Sequence, residues 1–248
     1  MTHDVTDHDS WNYSPHKTPK APNIKLGDIH GVLPFDGVRN PGARSATSHK
    51  VWFPYQTPAN DWKPKVAICE SAAEAAVALD ALITPNVHDV SFQPLTVHYQ
   101  LDGKRRQYTH DLLITFNNGY RRLLFVRNDA SLGKPKTQRE IRAIEEMTPR
   151  NAANDLKVVN ALDFPRQKRE NLFRMHAFLQ DPDPEADDLV IATARSLSEL
   201  WQMKDLFPHV DLPQKRIFRA CYRLVARRQM LADLNNVFLE TSRVEVAP

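Results

Sequence analysis

Cationic side chains fall in clusters along this chain: Lys104 to Arg106, Arg121, Arg122 and Arg127, Lys134 to Arg142, Arg166 to Arg169, and Lys215 to Arg228. Grouped guanidinium and ammonium groups bind polyanions, above all nucleic-acid phosphates, by displacing counterions. The stretch from Pro213 to Arg228 has the clearest pattern. Ile217, Phe218, Cys221, Leu224 and Val225 follow the spacing of one apolar helix face, and Lys215, Arg216, Arg219, Arg223 and Arg227 fall opposite it. With Arg228 that makes six basic residues and no acid in sixteen positions. Solvated helix faces usually mix signs to gain i,i+4 pairs. The pattern therefore predicts phosphate contacts, which give affinity and register with little sequence information. A solvated amphipathic helix is the alternative.

Other side chains with chemical potential are sparser. Ser71 followed by Glu74 matches a capping box, which would account for Glu74 by itself. Asp111 precedes an apolar run and would serve equally as a functional acid or as a salt-bridge partner of Arg127 or Arg106. His110 beside it is expected at the surface. Cys69 and Cys221 lie far apart in apolar settings, as core thiols do. His3, His8 and His16, among Asp4, Asp7 and Asp9, would bind metal only adventitiously.

The elements that must position these groups can be read from punctuation and period. Eight of the 18 prolines and four of the seven glycines fall in the first 64 residues. No helical or strand period survives from Ser14 to Lys65, so an extended arm with a disordered tip is expected. Ala72 to Ile83 reads as a helix ended by Pro85. Val90 to Gln100, with Pro94 as a local break, Arg106 to Phe116 and Arg121 to Arg127 read as three strands joined at Asp102-Gly103 and Asn117-Asn118-Gly119, an antiparallel meander. Ser131 to Glu146 and Lys168 to Leu179 read as helices, with a short strand near Leu156 to Leu162. The acidic stretch Asp181 to Asp188 reads as a linker. Three helical signals follow (Asp187 to Ala194, Ser198 to Phe207, Pro213 to Arg228), then a small hairpin from Met230 to Val246. Three units are expected: an arm over 1–64, a core over 65–180 and a C-terminal unit over 181–248.

Bulk properties exclude several classes. A chain of 248 residues with 42% hydrophobic and 25% charged residues can build a sizeable core. No apolar run approaches the roughly 18 residues of a transmembrane helix, so no membrane association is expected. The polar, acidic stretch Met1 to Asn12 is unlike a secretory signal. Two cysteines make a disulfide scaffold or a Cys-type zinc module a poor fit, and a reducing cytoplasmic setting is expected.

The words Glu70-Ser71-Ala72-Ala73-Glu74, Tyr108-Thr109-His110-Asp111-Leu112-Leu113-Ile114-Thr115 and Leu124-Phe125-Val126-Arg127 carry a resemblance. So do Val90-Ser91-Phe92-Gln93 and Asp102-Gly103-Lys104-Arg105-Arg106. Together, over roughly Lys50 to Ile144, they resemble the TnsA-like endonuclease subunit of heteromeric transposases, within the PD-(D/E)XK or restriction-endonuclease-like superfamily. The resemblance implies an α/β fold: a mixed sheet flanked by helices, plus a small, helical, winged-helix-like C-terminal domain. It also implies a site in which acids from the helix and from one strand hold Mg²⁺ at the scissile phosphate, and an acid-x-Lys pair follows on the next strand. Glu74, or Glu70 in its place, and Asp111 match the two acids.

The match departs from the family where the chemistry is most exacting. Phe125 stands where the family has Glu or Gln, Arg127 where it has Lys, and His110 where it has Pro. A phenyl ring cannot ligate a metal, and a guanidinium does not give up a proton but can grip phosphate with two N–H groups. The resemblance then implies a DNA-binding pseudonuclease with no cofactor. It would dock through Arg105, Arg106, Arg127, Lys134, Lys136, Arg139 and the basic helix. Its arm, with Trp52, Phe53 and Tyr55, would meet a transposase or other DNA-processing protein. One alternative is an active Mg²⁺-dependent endonuclease at transposon ends, completed by Lys134, Lys136 or Asp129. The other is a regulatory or assembly protein working through the C-terminal unit.

Overall fold

The structure is a computed structural model that describes residues 29–41, 50–127 and 132–248. The tip with His3, His8 and His16, most of the Pro-rich arm, and Asp129 lie outside the described residues.

Strands β1 (Val51–Tyr55) and β2 (Lys65–Cys69) form an antiparallel hairpin leading into helix α1 (Ala72–Leu82). This hairpin is part of the core. Phe53 and Tyr55 are buried, so of the three aromatics expected to face a partner only Trp52 is exposed. Ser71 caps α1 by accepting from the Glu74 N–H at 3.1 Å. The other half of the expected capping box differs: the Glu74 carboxylate reaches the Glu70 N–H, one residue beyond the cap, at 2.8 Å. The small Ala side chains let α1 bury nearly its whole circumference.

The two long strands expected next are each bent into two. β3 (Val87–Phe92) and β4 (Thr96–Leu101) run out, and β5 (Lys104–Thr109) and β6 (Leu112–Phe116) return. The tip turns at Asp102 and Gly103, with φ of 51° and 72°, the positive pair a two-residue hairpin needs. The bend falls at Gln93, which has φ of 49° and precedes Pro94, and at His110-Asp111 opposite. Two bonds carry the ladder across it, Gln93 N–H to the Asp111 carbonyl and His110 N–H to the Leu95 carbonyl, both 3.0 Å. β7 (Arg121–Arg127) lies antiparallel to β6. Helix α2 (Pro135–Met147) then crosses over, and β8 (Asp155–Asn160) joins parallel to β7. The sheet order β3-β6-β7-β8 is mixed.

Alternation along the central strands divides the core. Leu112, Ile114, Leu124 and Val126 face α1 and helix α3 (Arg166–Leu179). Phe125 faces the other way, into a smaller cluster with Val97, Tyr99, Leu101, Ile141 and Ile144 from the β4–β5 hairpin and α2.

The stretch expected to be a linker is the start of helix α4 (Pro184–Ser196), with Asp183 as N-cap and Glu185 and Asp187 in the first turn. Its acidity answers the orphan N–H groups and dipole of a helix start. In place of a helix from Ser198 to Phe207 there is one short 3₁₀ turn, Met203–Leu206, whose N–H groups at Trp201 and Gln202 are taken by Asp205. Helix α5 (Gln214–Ala226) and the antiparallel pair β9 (Met230–Ala232) and β10 (Val244–Val246) complete the chain. The apolar cluster on the α1 side runs unbroken through α3, α4 and α5, so the core and the C-terminal unit share one interior. Among the described residues no helix is long and apolar enough to cross a membrane.

Candidate functional site

The bend in the long hairpin lifts Asp111 off the end of β6 and places it beside the N-terminal turn of α1. Asp111 and Glu74 are 5% and 3% exposed. Each carboxyl is embedded in protein donors. Asp111 Oδ2 accepts from the Tyr108 hydroxyl at 2.9 Å and from the Val126 N–H at 2.8 Å. Glu74 Oε2 accepts from Glu70 N–H, and Oε1 faces Gln93 Nε2 at 3.5 Å. Burial pushes the Asp111 carboxyl up to about 6, against the pull of the Val126 N–H, the Arg127 charge and the Tyr108 hydroxyl. Burial, with the Asp111 charge added, raises Glu74 well above the usual carboxylate range. The same two acids, after burial itself, raise the Cys69 thiol.

Residues 35–39 close a ring around Glu74. Arg39 donates to Gln93 Oε1 through Nε and Nη2, at 3.2 and 2.9 Å, and also pairs with Glu70. The ring therefore runs Arg39, Gln93, Glu74, Glu70 and back to Arg39. Val38 N–H is bonded to the Gln93 carbonyl at 2.9 Å. Gly37 permits this approach, because a Cβ there would stand 2.6 Å from the Phe92 carbonyl oxygen.

The third and fourth positions of the motif lie on the opposite face of β7. Phe125 is fully buried, its ring centroid 4.7 Å from that of Tyr108. The Arg127 guanidinium stacks over both rings, 4.3 Å from Phe125 and 5.3 Å from Tyr108. It has no carboxylate within ion-pairing distance among the described residues. The salt bridge considered for Asp111, to Arg127 or Arg106, does not form, because Asp111 is taken by Tyr108 and Val126 while Arg106 lies 3.9 Å from Glu140.

These residues do not suit a divalent ion. Three of the four carboxylate oxygens face protein donors, and the third motif position holds an apolar ring turned to the other face of β7. Among the described residues no group of three or more His, Cys, Asp and Glu could hold a metal. His110 is buried rather than at the surface. Its Nε2 lies 3.1 Å from Thr148 Oγ1, its Nδ1 has no partner among the described residues, and burial lowers its pKa to about 4.

The cationic residues divide into two groups. Arg105, Lys134 and Lys136 are exposed, with no carboxylate partner among the described residues, and Arg139 pairs loosely with Asp102 at 3.4 Å. The basic face of α5 is a different matter. Arg216 pairs with Asp183 and Glu185, and Arg219 with Asp181. Arg223 is only 1% exposed and, with Arg227, grips the buried Asp187. The face that lacks acids in its own sequence is neutralised by acids from residues 181–187. Of the helix residues expected to touch DNA, Arg223 is interior and Arg216, Arg219 and Arg227 are paired. Lys215, and Arg228 just past the helix end, are exposed without a carboxylate partner among the described residues.

Sequence reasoning passed over Arg39, Gln93 and Tyr108 as site residues. Gln93 and Tyr108 carried a signal, as polar groups at the ends of apolar strand words beside a Pro and an acid. Arg39 carried none. No protein-family model and no curated protein matches the chain.

Proposed function

We propose that this chain is a DNA-binding scaffold with a TnsA-like nuclease core that grips the DNA backbone without cutting it. One observation carries the reading. The Glu74 and Asp111 carboxyls are held by Gln93, the Glu70 N–H, Tyr108 and the Val126 N–H, and Phe125 and Arg127 fill the remaining motif positions. A nuclease needs open carboxylate oxygens for its metal. A backbone-gripping protein needs a guanidinium held in place and not neutralised by an acid; Arg127, stacked on two rings and donating Nη1 to the Val126 carbonyl at 3.2 Å, has no ion pair among the described residues.

The order of elements supports the reading. Helix α1, strands β3, β6 and β7, helix α2 and strand β8 follow the succession expected of a restriction-endonuclease-like core. The C-terminal helix, 3₁₀ turn, helix and paired short strands follow the outline of a winged helix. Because its arginines are committed within the fold, we assign the C-terminal unit to assembly with a DNA-processing partner. DNA contact falls to Arg105, Arg127, Lys134, Lys136 and Lys215, with the loosely paired Arg106 and Arg139 beside them.

The test is a cleavage assay on supercoiled plasmid with Mg²⁺ or Mn²⁺, beside a binding assay on the same DNA. Binding without cleavage, weakened about tenfold by Arg127→Ala and little changed by Asp111→Ala, is the expected outcome. Cleavage that disappears with Asp111→Ala would replace this reading with that of a working endonuclease.

A further inference from the structure

A groove of about 600 Å³ opens between strand β4 of the bent hairpin and the C-terminal half of α2. Its size is in the range that accepts one nucleotide-sized group. Its two ends differ in charge. At one end stand Arg105 and Arg106. Arg105 is exposed without a carboxylate partner among the described residues, and Arg106 is held only loosely by Glu140 at 3.9 Å. At the other end are Glu146 and the C-terminus of α2, the negative end of its helix dipole. Between them Ala143 and Met147, one helical turn apart on one face, form an apolar floor. Met147 is 55% exposed, a large apolar surface left uncovered beside two arginines.

We propose that this groove holds one unpaired nucleotide of a DNA strand. The phosphate lies at Arg105 and Arg106, the base lies flat on Met147 and Ala143, and its exocyclic amine donates to Glu146. Three features select this occupant. Two adjacent guanidiniums match a phosphodiester. A polarizable thioether and a methyl group form a flat surface for a π-face. A carboxylate at the far end accepts from the projecting exocyclic amine of adenine, cytosine or guanine, where thymine offers only its ring N3–H. A base paired in duplex has its face covered and cannot enter. The inference rests on the DNA-binding reading and adds a preference for single-stranded ends to it.

Fluorescence anisotropy on a labelled blunt duplex, and on the same duplex with a short cytosine or thymine overhang, tests both. The full chain is expected to bind the cytosine overhang about tenfold more tightly than the blunt duplex, and the thymine overhang less tightly than the cytosine one. Ala143→Trp fills the groove and Met147→Glu charges its floor. Met147 is exposed, so the second variant leaves the fold intact. Both are expected to erase the preference, and Ala143→Trp, which adds no charge beside Arg105, to leave blunt-duplex affinity unchanged. Equal affinity of the full chain for blunt and overhanging ends, or a preference that survives both variants, overturns the groove assignment with the DNA reading intact. Failure to bind any of the duplexes overturns the DNA reading, and this inference with it.

Discussion

Tyr108 does two tasks at one position. Its hydroxyl donates to Asp111, and its ring carries Arg127 together with Phe125. Tyr108→Phe removes only the first. A buried carboxyl losing a donor costs about 1–3 kcal/mol, so urea denaturation should show a loss of that order, while the ring still supports Arg127 and DNA affinity holds. Arg39 works at longer range, by fixing the Gln93 amide so that Nε2 faces Glu74. Gly37→Ala should unseat residues 35–39 through its clash with the Phe92 carbonyl, and should lower the melting temperature more than Arg39→Ala, which removes only exposed and half-buried bonds. Glu74 and Asp111 came together in the sequence only through the resemblance, since taken one by one they read as a capping-box residue and a salt-bridge partner. Their partners were not legible, because a ring closed by residues 39, 70, 74 and 93 leaves no spacing in the sequence to find.

At the level of elements, the ion pairs between α4 and α5 are unequal. Asp187 lies in the interior between Arg223 and Arg227. Asp187→Ala would strand a buried guanidinium and should cost about 3–5 kcal/mol. Arg219→Ala removes a pair open to water and should cost less than about 1 kcal/mol. Denaturant midpoints of the two variants, measured side by side, check the contrast. The same ion pairs explain one misreading of the sequence. An acidic, Pro-bearing stretch and a purely basic helix look like a linker and a DNA-binding face when taken separately. Their complementarity exists only once α4 and α5 are packed, which local pattern does not encode. The strands were legible in place and order, since their apolar residues and turns are local. The break in the first strand was legible at Pro94, but the left-handed Gln93 before it and the matching break at His110-Asp111 in the second strand were not, because no residue type there announces them.

Across the whole molecule, one apolar interior joins α1 and α3 to α4 and α5. Thermal unfolding should therefore be a single transition seen equally by far-ultraviolet and near-ultraviolet circular dichroism. Two separated transitions would show that the C-terminal unit melts on its own.

The hairpin bend also buries two adjacent residues whose responses to acidity oppose each other. Asp111 titrates near 6 rather than 3.8, so between those values the folded protein holds a proton that the unfolded chain has released, and stability falls as pH rises. Glu74 acts in the same direction. His110 titrates near 4 rather than 6.5, so in nearly the same window the unfolded chain holds the extra proton, and stability rises with pH. Each proton is worth about 1.4 kcal/mol per pH unit. The histidine therefore opposes the carboxyl slope, as does His176, whose pKa burial also lowers. Relative to the wild type, melting temperatures between pH 4.5 and 6 should fall more steeply with pH in His110→Gln and less steeply in Asp111→Asn. A burial that looks costly for either residue alone makes the chain a damped responder to acid, with the imidazole acting as counterweight to the acid beside it.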